Sequence, residues 1–451
     1  MSSAGDLKSN GAMSRQRYTQ DELVPILQRH KHFLERKRGG IRANLKMADL
    51  SYLDFTGADL SDADLTGARL IGATLKNTKF HGSVLFAADL SEADLTGADI
   101  KKSDLRGIRM RKAKLIGARV IESDLRDGML FQSSKGELTP MEKETGTAAD
   151  ARSINARSAD LSGSKLSNAF IMQSDLTDAI MRGAKFIRAD MSKANMTGCN
   201  LLGADLSHAN LEGAILHGAI MSQATLLSTN LKDSDLMGAI LDAVDLSVAK
   251  TDNARMARRL ENASVSLKNA VEEHVLWIDS GGLEGKRVDF SELDMTGENI
   301  SDLNLAGGKF TFVVLKKGNM AKVGLMMADL SFADLRETDL SYADLRGVNL
   351  SRATLSGANL TGARLGPVPI EGATIGYWPS KLSHARLDKC DFSGADLFAA
   401  DLEGADLTGA NLRGANLSDA VLLDANMTDA DIRGAKLNGA DVRGVVGLPR
   451  G

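Results

Sequence analysis

In the stretch ADLSDADLTGARL, residues 58–70, leucine recurs at 60, 65 and 70 with an alanine two places before each. A period of five excludes the two ordinary elements. On an α-helix successive leucines would turn by about 140° and spiral around the axis. On a strand an odd step would send them to opposite faces. They can share one interior only if the backbone turns within every pentapeptide, so the chain must coil.

The register runs far. Apolar centres stand at every fifth residue from Leu45 to Leu130, with Phe55, Phe80, Ile100, Met110 and Val120 in place of leucine. After an interruption they shift by one and run from Leu161 through Met181, Phe186 and Leu206 to Leu246. A third run passes from Phe290 through Leu330, Leu345 and Leu360 to Leu365, and a fourth from Leu387 to near Val442. About 70% of the chain keeps this short period, which marks a solenoid. The centre and the small residue two before it point inward, and alanine suits an interior with little room left. Cys199 and Cys390 stand at that small inward place and read as core filler, not as a disulfide or a nucleophile. Glycine before alanine, as in TGA, suits a turn with unusual backbone angles.

The pentapeptides ADLSD, ADLTG, ANLRG and ANLSD resemble the pentapeptide repeat family, whose signature is A-(D/N)-L-x-x. The resemblance implies an all-β solenoid, a right-handed quadrilateral β-helix with four pentapeptides to a coil and one on each wall. It also implies a bacterial protein, since the family is concentrated there.

Period breaks divide the chain. The expected parts are a disordered polar N-terminus (1–18), a capping helix and loop (19–42), run 1 (43–130), a non-repeat insert (131–158) and run 2 (159–251). A junction helix with a glycine loop (252–287), run 3 (288–375), a loop (376–384), run 4 (385–445) and a tail (446–451) follow. Thr19 and Glu22 have capping-box spacing, and Leu23, Leu27, His30 and Leu34 lie along one side of a helix over 20–36 that contains Pro25. Met256, Leu260, Leu267, Val271 and Val275 have helical spacing over 253–279. The segments HKHFLERKRGGIRANL and HVLWIDSGGLEGKRVDF match as an internal duplication: His30 with His274, Phe33 with Trp277, Arg42 with Arg287. A β-helix has open ends, so each helix is expected to cap the run after it, with His30, Phe33, His274 and Trp277 as packing residues. A metal-ligand role for the histidines lacks a second ligand at suitable spacing.

No catalytic, cofactor-binding or metal site is expected. SGGLEGKR resembles a phosphate loop, but Lys286 is followed by Arg287, not by Ser or Thr. Calcium-binding G-G-x-G-x-D repeats are absent, and the carboxylates recur at one surface place in nearly every repeat. The N-terminus is polar, with no apolar run for a signal peptide or a membrane span, which reads as cytoplasmic. A net charge of -4 favours neither strong nucleic-acid binding nor an acidic tail, although residues 30–42 are locally basic.

The resemblance also raises DNA mimicry, since some family members bind the topoisomerase gyrase. Surface residues twenty apart share a wall, and one wall of run 1 alternates as Asp49, Arg69, Asp89, Arg109, while only the wall of Asp64, Val84, Asp104 and Asp124 lacks a base. Alternation cancels a field, unlike the uniform charge of duplex DNA. A ring of four acids, Asp329, Asp334, Asp339 and Asp344, is diluted by its wall neighbours. The expected function is therefore a non-enzymatic structural or protein-interaction scaffold, its partner another protein or a second copy. A gyrase-binding mimic and an effector acting in a host cell are the alternatives. One wall of run 2 carries Ile180, Asn200, Ile220 and Ile240 where Asp or Asn is usual, with Leu202 beside them. An exposed apolar line marks a covered or contacted patch, so Ile180, Leu202, Ile220 and Ile240 form the candidate interaction ridge.

Overall fold

The computed structural model describes residues 15–128, 131–134, 137–140, 148–262, 266–370 and 376–448. The expected disordered N-terminus lies outside them through residue 14, as does the tail beyond residue 448.

Each pentapeptide makes a strand one bridge long and a corner. In residues 58–62 the Leu60 N–H donates to the Lys79 carbonyl of the next coil at 2.7 Å, and Lys79 N–H returns a bond to Ala58 O at 2.9 Å. The corner closes when Ala63 N–H donates to Leu60 O at 3.0 Å. Asp59 Oδ1 secures it by accepting from Ser61 N–H at 3.0 Å and from Ser61 Oγ at 2.6 Å, the asparagine-type turn that Asp and Asn favour. This explains why the signature demands Asp or Asn before leucine.

The residue before alanine sits in the left-handed region: Gly67 has φ 64°, but Asp62 has 59° and Tyr342 58°. A side chain there costs about 1–2 kcal/mol. The Asp62 N–H offsets it by donating to His81 O in the next coil at 2.8 Å.

Contacts divide the chain into two compact units, Met1–Ile215 with Ile220–Ser234 and Leu241–Ala254, and Leu216–Ala219 with Asp235–Ile240 and Arg255–Gly451. In the first, α1 (Gln20–Leu34) carries the Thr19–Glu22 capping box and buries Leu23 and His30. Parallel bridges then climb one wall through Asp49, Arg69, Asp89, Arg109, Asp150, Phe170, Asp190, Asn210 and Asn230. The step is twenty residues, hence four pentapeptides per coil, except between Arg109 and Asp150. There the insert adds a hairpin of β1 (Phe131–Ser134) and β2 (Glu137–Pro140), antiparallel with Phe131 opposite Pro140.

The insert is shorter than the expected 131–158, because bridges resume at Asp150 and Asn155. Ala151 and Ala156 occupy centre places without the large side chain that marks a centre in the sequence, and both are buried. With alanine at that level the core keeps a void of about 20 Å³ lined by Met110, Leu115, Val120, Ala151 and Leu166.

In the second unit, β3 (Arg258–Arg259) pairs in parallel with β4 (Leu293–Asp294), and α2 spans Leu267–Asp279. The expected start at residue 253 is corrected. Asn253 is still a coil corner, φ 56°, and α2 begins only after Ser266, whose hydroxyl accepts from Asn269 N–H. Leu260, Leu267, Ala270 and Val271 pack on the core of this unit. Its coils climb through Asp289, Lys309, Asp329, Asn349, Lys381, Asp401, Val421 and Asp441. The longer step from Asn349 to Lys381 holds an antiparallel pair of β5 (Val368–Pro369) and β6 (Tyr377–Trp378). Runs 3 and 4 are thus one stack, and the coil resumes at Lys381, inside the expected loop 376–384.

Candidate interaction surface

A functional site on such a coil must be built from side chains that the fold does not already use, and the acidic places are used. Besides the corner bonds, Asn359 Nδ2 donates to Asp339 Oδ1 at 3.0 Å and Asn349 Nδ2 to Asp329 Oδ1 at 3.0 Å, each twenty residues back along a wall. Arg336 binds Asp334 through two N–H groups at 2.8 and 2.6 Å, and Arg346 binds Asp344 in the same way. All four carboxylates of the expected acid ring are therefore held by neighbours in the chain. Across coils, Arg109 Nε lies 3.2 Å from Asp89 Oδ2, with both side chains largely buried. At Asp441 the bond from Arg443 pulls the carboxyl pKa down to about 2.

Among the described residues no group of three or more His, Cys, Asp or Glu is placed to hold a metal ion. Cys199 and Cys390 are both buried. Burial pushes the Cys390 thiol pKa up to about 12, the opposite of what a nucleophile needs.

The duplicated segments converge on one geometry. His30 is fully buried in α1, and its Nδ1 accepts from Ala43 N–H at 3.0 Å. His274 is fully buried in α2, and its Nδ1 accepts from Val288 N–H at 3.1 Å. Each ring stacks on the aromatic three places on, Phe33 at 5.8 Å and Trp277 at 5.4 Å. Arg42 Nε donates to Asp62 O, and Arg287 Nε to Gly307 O.

Because Nδ1 is an acceptor, each imidazole is neutral with its proton on Nε2. Burial lowers both pKa values from 6.5, and the backbone carbonyls of Ser61 and Ala306 act in the opposite sense. The folded rings thus bind fewer protons than the unfolded ones. The stability this contributes is complete above pH 6.5 and is lost as pH falls from there through the lowered folded values. In denaturant melts, the stability advantage of the wild type over a His30→Asn/His274→Asn variant should shrink between pH 7.5 and 5. An advantage constant across that range would show that the rings titrate normally.

Bridges join Ile180 to Asn200 and Asn200 to Ile220, so one wall carries these three in order, and Ile240 N–H donates to Ala219 O at 2.8 Å. Their exposure is unequal. Ile180 is 40% exposed, Leu202 and Ile220 are half-buried, and Ile240 is 4% exposed. Ile240 therefore drops out of an accessible ridge. Asn200 keeps its corner bond to Leu202 N–H at 3.1 Å, whereas isoleucine has no oxygen with which to make one. Phe170 and Ile215 occupy the same place on two other walls, and Leu227 stands just after a centre. They are 40, 41 and 49% exposed. The same wall-by-wall comparison of the sequence would have found Phe170 and Ile215.

The family model for pentapeptide repeats matches in eight copies, at residues 42–85, 88–127, 155–192, 173–203, 204–242, 328–366, 380–414 and 405–444, together more than half of the chain. The chain belongs to the pentapeptide repeat family. Its four-walled coils are accordingly the right-handed quadrilateral β-helix of that family.

Among solved structures, this pentapeptide repeat protein is similar to HetL, involved in heterocyst differentiation regulation in the cyanobacterium Nostoc sp. PCC 7120. Identity is 21% over 95% of this chain and 96% of HetL, with a TM-score of 0.15. A pentapeptide repeat protein of the Arabidopsis thaliana thylakoid lumen is 30% identical over 27% of this chain and 68% of its own, with a TM-score of 0.16. Rfr23 from the cyanobacterium Cyanothece 51142 is 23% identical over 34% of this chain and 90% of its own, with a TM-score of 0.13. No curated protein matches the chain in sequence. No described helix is long and apolar enough to cross a membrane.

Proposed function

We propose that this pentapeptide repeat protein is a non-enzymatic, cytoplasmic interaction scaffold that engages another protein, or a second copy of itself, through the apolar wall at Ile180, Leu202 and Ile220. The exposure of Ile180 carries the reading: an isoleucine holds a surface place where Asp or Asn would secure the corner, so the fold gains nothing from it there. Asp160, one coil earlier on the same wall, makes the usual bond to Ser162 N–H at 3.0 Å. The two helix–loop modules serve this scaffold as caps, with His30 and Phe33, and His274 and Trp277, giving the first coil of each unit a neighbour in place of solvent.

Changing Ile180 and Ile220 to Asp tests the wall. The substitution introduces the corner-bonding group, so the melting temperature should hold or rise, while assembled size by light scattering, or retention of a protein partner, should fall. A destabilised variant would point to cover from within the chain, and one unchanged in stability, assembly and binding would remove the proposal. The internal use of the acidic places disfavours a topoisomerase-binding DNA mimic; on this reading the protein leaves gyrase supercoiling unaffected.

A further inference from the structure

The two helix–loop modules share their internal contacts but not their outer surfaces. From the start of each helix to the shared arginine, residues 20–42 hold six Lys or Arg against three Asp or Glu, whereas residues 267–287 hold three against four. The excess sits at one place. Lys31, His32, Arg36, Lys37 and Arg38 crowd the C-terminal turn of α1 and the loop after it, and all five are exposed. Their counterparts beyond His274 are Val275, Leu276, Ser280, Gly281 and Gly282.

Cations at a helix C-terminus complement its dipole, which could account for them. The second module argues otherwise. α2 has no basic residue in its last turn and still forms, still buries its histidine and still accepts the Val288 N–H. Helix formation and packing on a coil therefore do not require this charge. Lys37 pairs with Glu35 at 2.7 Å and Arg29 Nε donates to Pro25 O. Lys31, Arg36 and Arg38 make no ion pair among the described residues, and they stand on a chain whose net charge is -4.

Apolar side chains are interleaved with them. Phe33 is 37% and Ile41 57% exposed, the latter at the place of Lys286 in the second module. Ile41 is held at the surface by its backbone: its N–H donates to Arg29 O at 3.0 Å, as Lys286 N–H does to Glu273 O at 3.0 Å. A phosphate backbone offers isoleucine nothing to pack on. The boundary between lipid headgroups and acyl chains takes both the cations and the apolar tips.

We propose that the end of α1 and the loop after it form a docking surface for an anionic lipid membrane. Lys31, Arg36 and Arg38 meet the headgroups, and Phe33 and Ile41 dip into the boundary layer.

The test is co-sedimentation of the full chain with vesicles of phosphatidylcholine containing about a third phosphatidylserine, with pure phosphatidylcholine vesicles and a 30-base-pair duplex DNA at the same salt as the other arms. The wild type should bind the anionic vesicles alone. A Lys31→Gln/Arg36→Ser/Arg38→Gln variant should lose roughly a hundredfold in partitioning, at about fivefold per charge, with an unchanged melt and circular dichroism spectrum. Ile41→Ser should lose severalfold. The proposal is overturned if the wild type does not bind the anionic vesicles, or binds neutral ones equally. It is likewise overturned if either variant binds as well as the wild type, or if the duplex is bound more tightly than the vesicles, which would mark a nucleic-acid surface instead.

Discussion

Leu206→Ala is expected to lower the unfolding free energy by about 2–5 kcal/mol. Leu206 is fully buried, and bridges from Lys185 to Asp205 to Thr225 place its wall neighbours one coil above and one below. Closing the gap would mean moving the backbone, which is pinned on both sides. Phe186 N–H donates to Asp205 O at 2.7 Å, and Leu206 N–H to Thr225 O at 2.9 Å. Thr229 Oγ1 also donates to Leu206 O at 2.8 Å. The cavity therefore stays open, and the cost belongs at the upper part of the range. Guanidinium melts measure it, and a loss below 0.5 kcal/mol would mean that the centres do not build the core.

Gly285→Ala should cost roughly 2–5 kcal/mol, combining left-handed strain with overpacking against backbone. Gly285 has φ 71°, and an added Cβ would lie 2.2 Å from Glu273 O and 2.7 Å from Trp277 N, atoms that cannot swing aside. Gly40, its counterpart, lacks the positive φ but meets backbone as closely, with Phe33 N at 2.4 Å and His32 C at 2.6 Å. Gly40→Ala should thus destabilise through contact alone and by less than Gly285→Ala. As a contrast, Gly281→Ala has open space around its Cβ and only the strain of φ 65°, so it should cost about 1–2 kcal/mol. Equal effects of Gly285→Ala and Gly281→Ala in thermal and denaturant melts would show that the loop is not pressed against the helix.

Much of this was legible in the chain because it is local. A leucine every five residues, with alanine two before and Asp or Asn one before, prescribes inward side chains and a corner within a single pentapeptide. The capping box at Thr19 and Glu22 spans four residues, and both of its bonds form. The pairing of His30 with His274 was visible as repeated spacing, and the two rings share the same kind of acceptor bond. Where local signals were weak the boundaries slipped. Ala151 and Ala156 are centres without the size that announces one, and Met256 and Leu260 mimic a helical spacing although Met256 follows the bridge of Arg255 with Asp235 and Leu260 opens a short 3-10 turn ahead of the helix.

Ile180 and Ile240 show where the sequence stops deciding. Both are isoleucine, both stand at the surface place of a pentapeptide, and both follow an alanine, yet one is 40% exposed and the other 4%. The pentapeptide alone directs a side chain in or out of its own coil, since that choice depends on hydrogen bonds within one corner and to the adjacent coils. Whether an outward side chain meets solvent depends on what packs over it, which the hydrogen bonds of its own corner do not fix. Only the tertiary structure decided it, because burial is a property of everything that packs there and not of the residue.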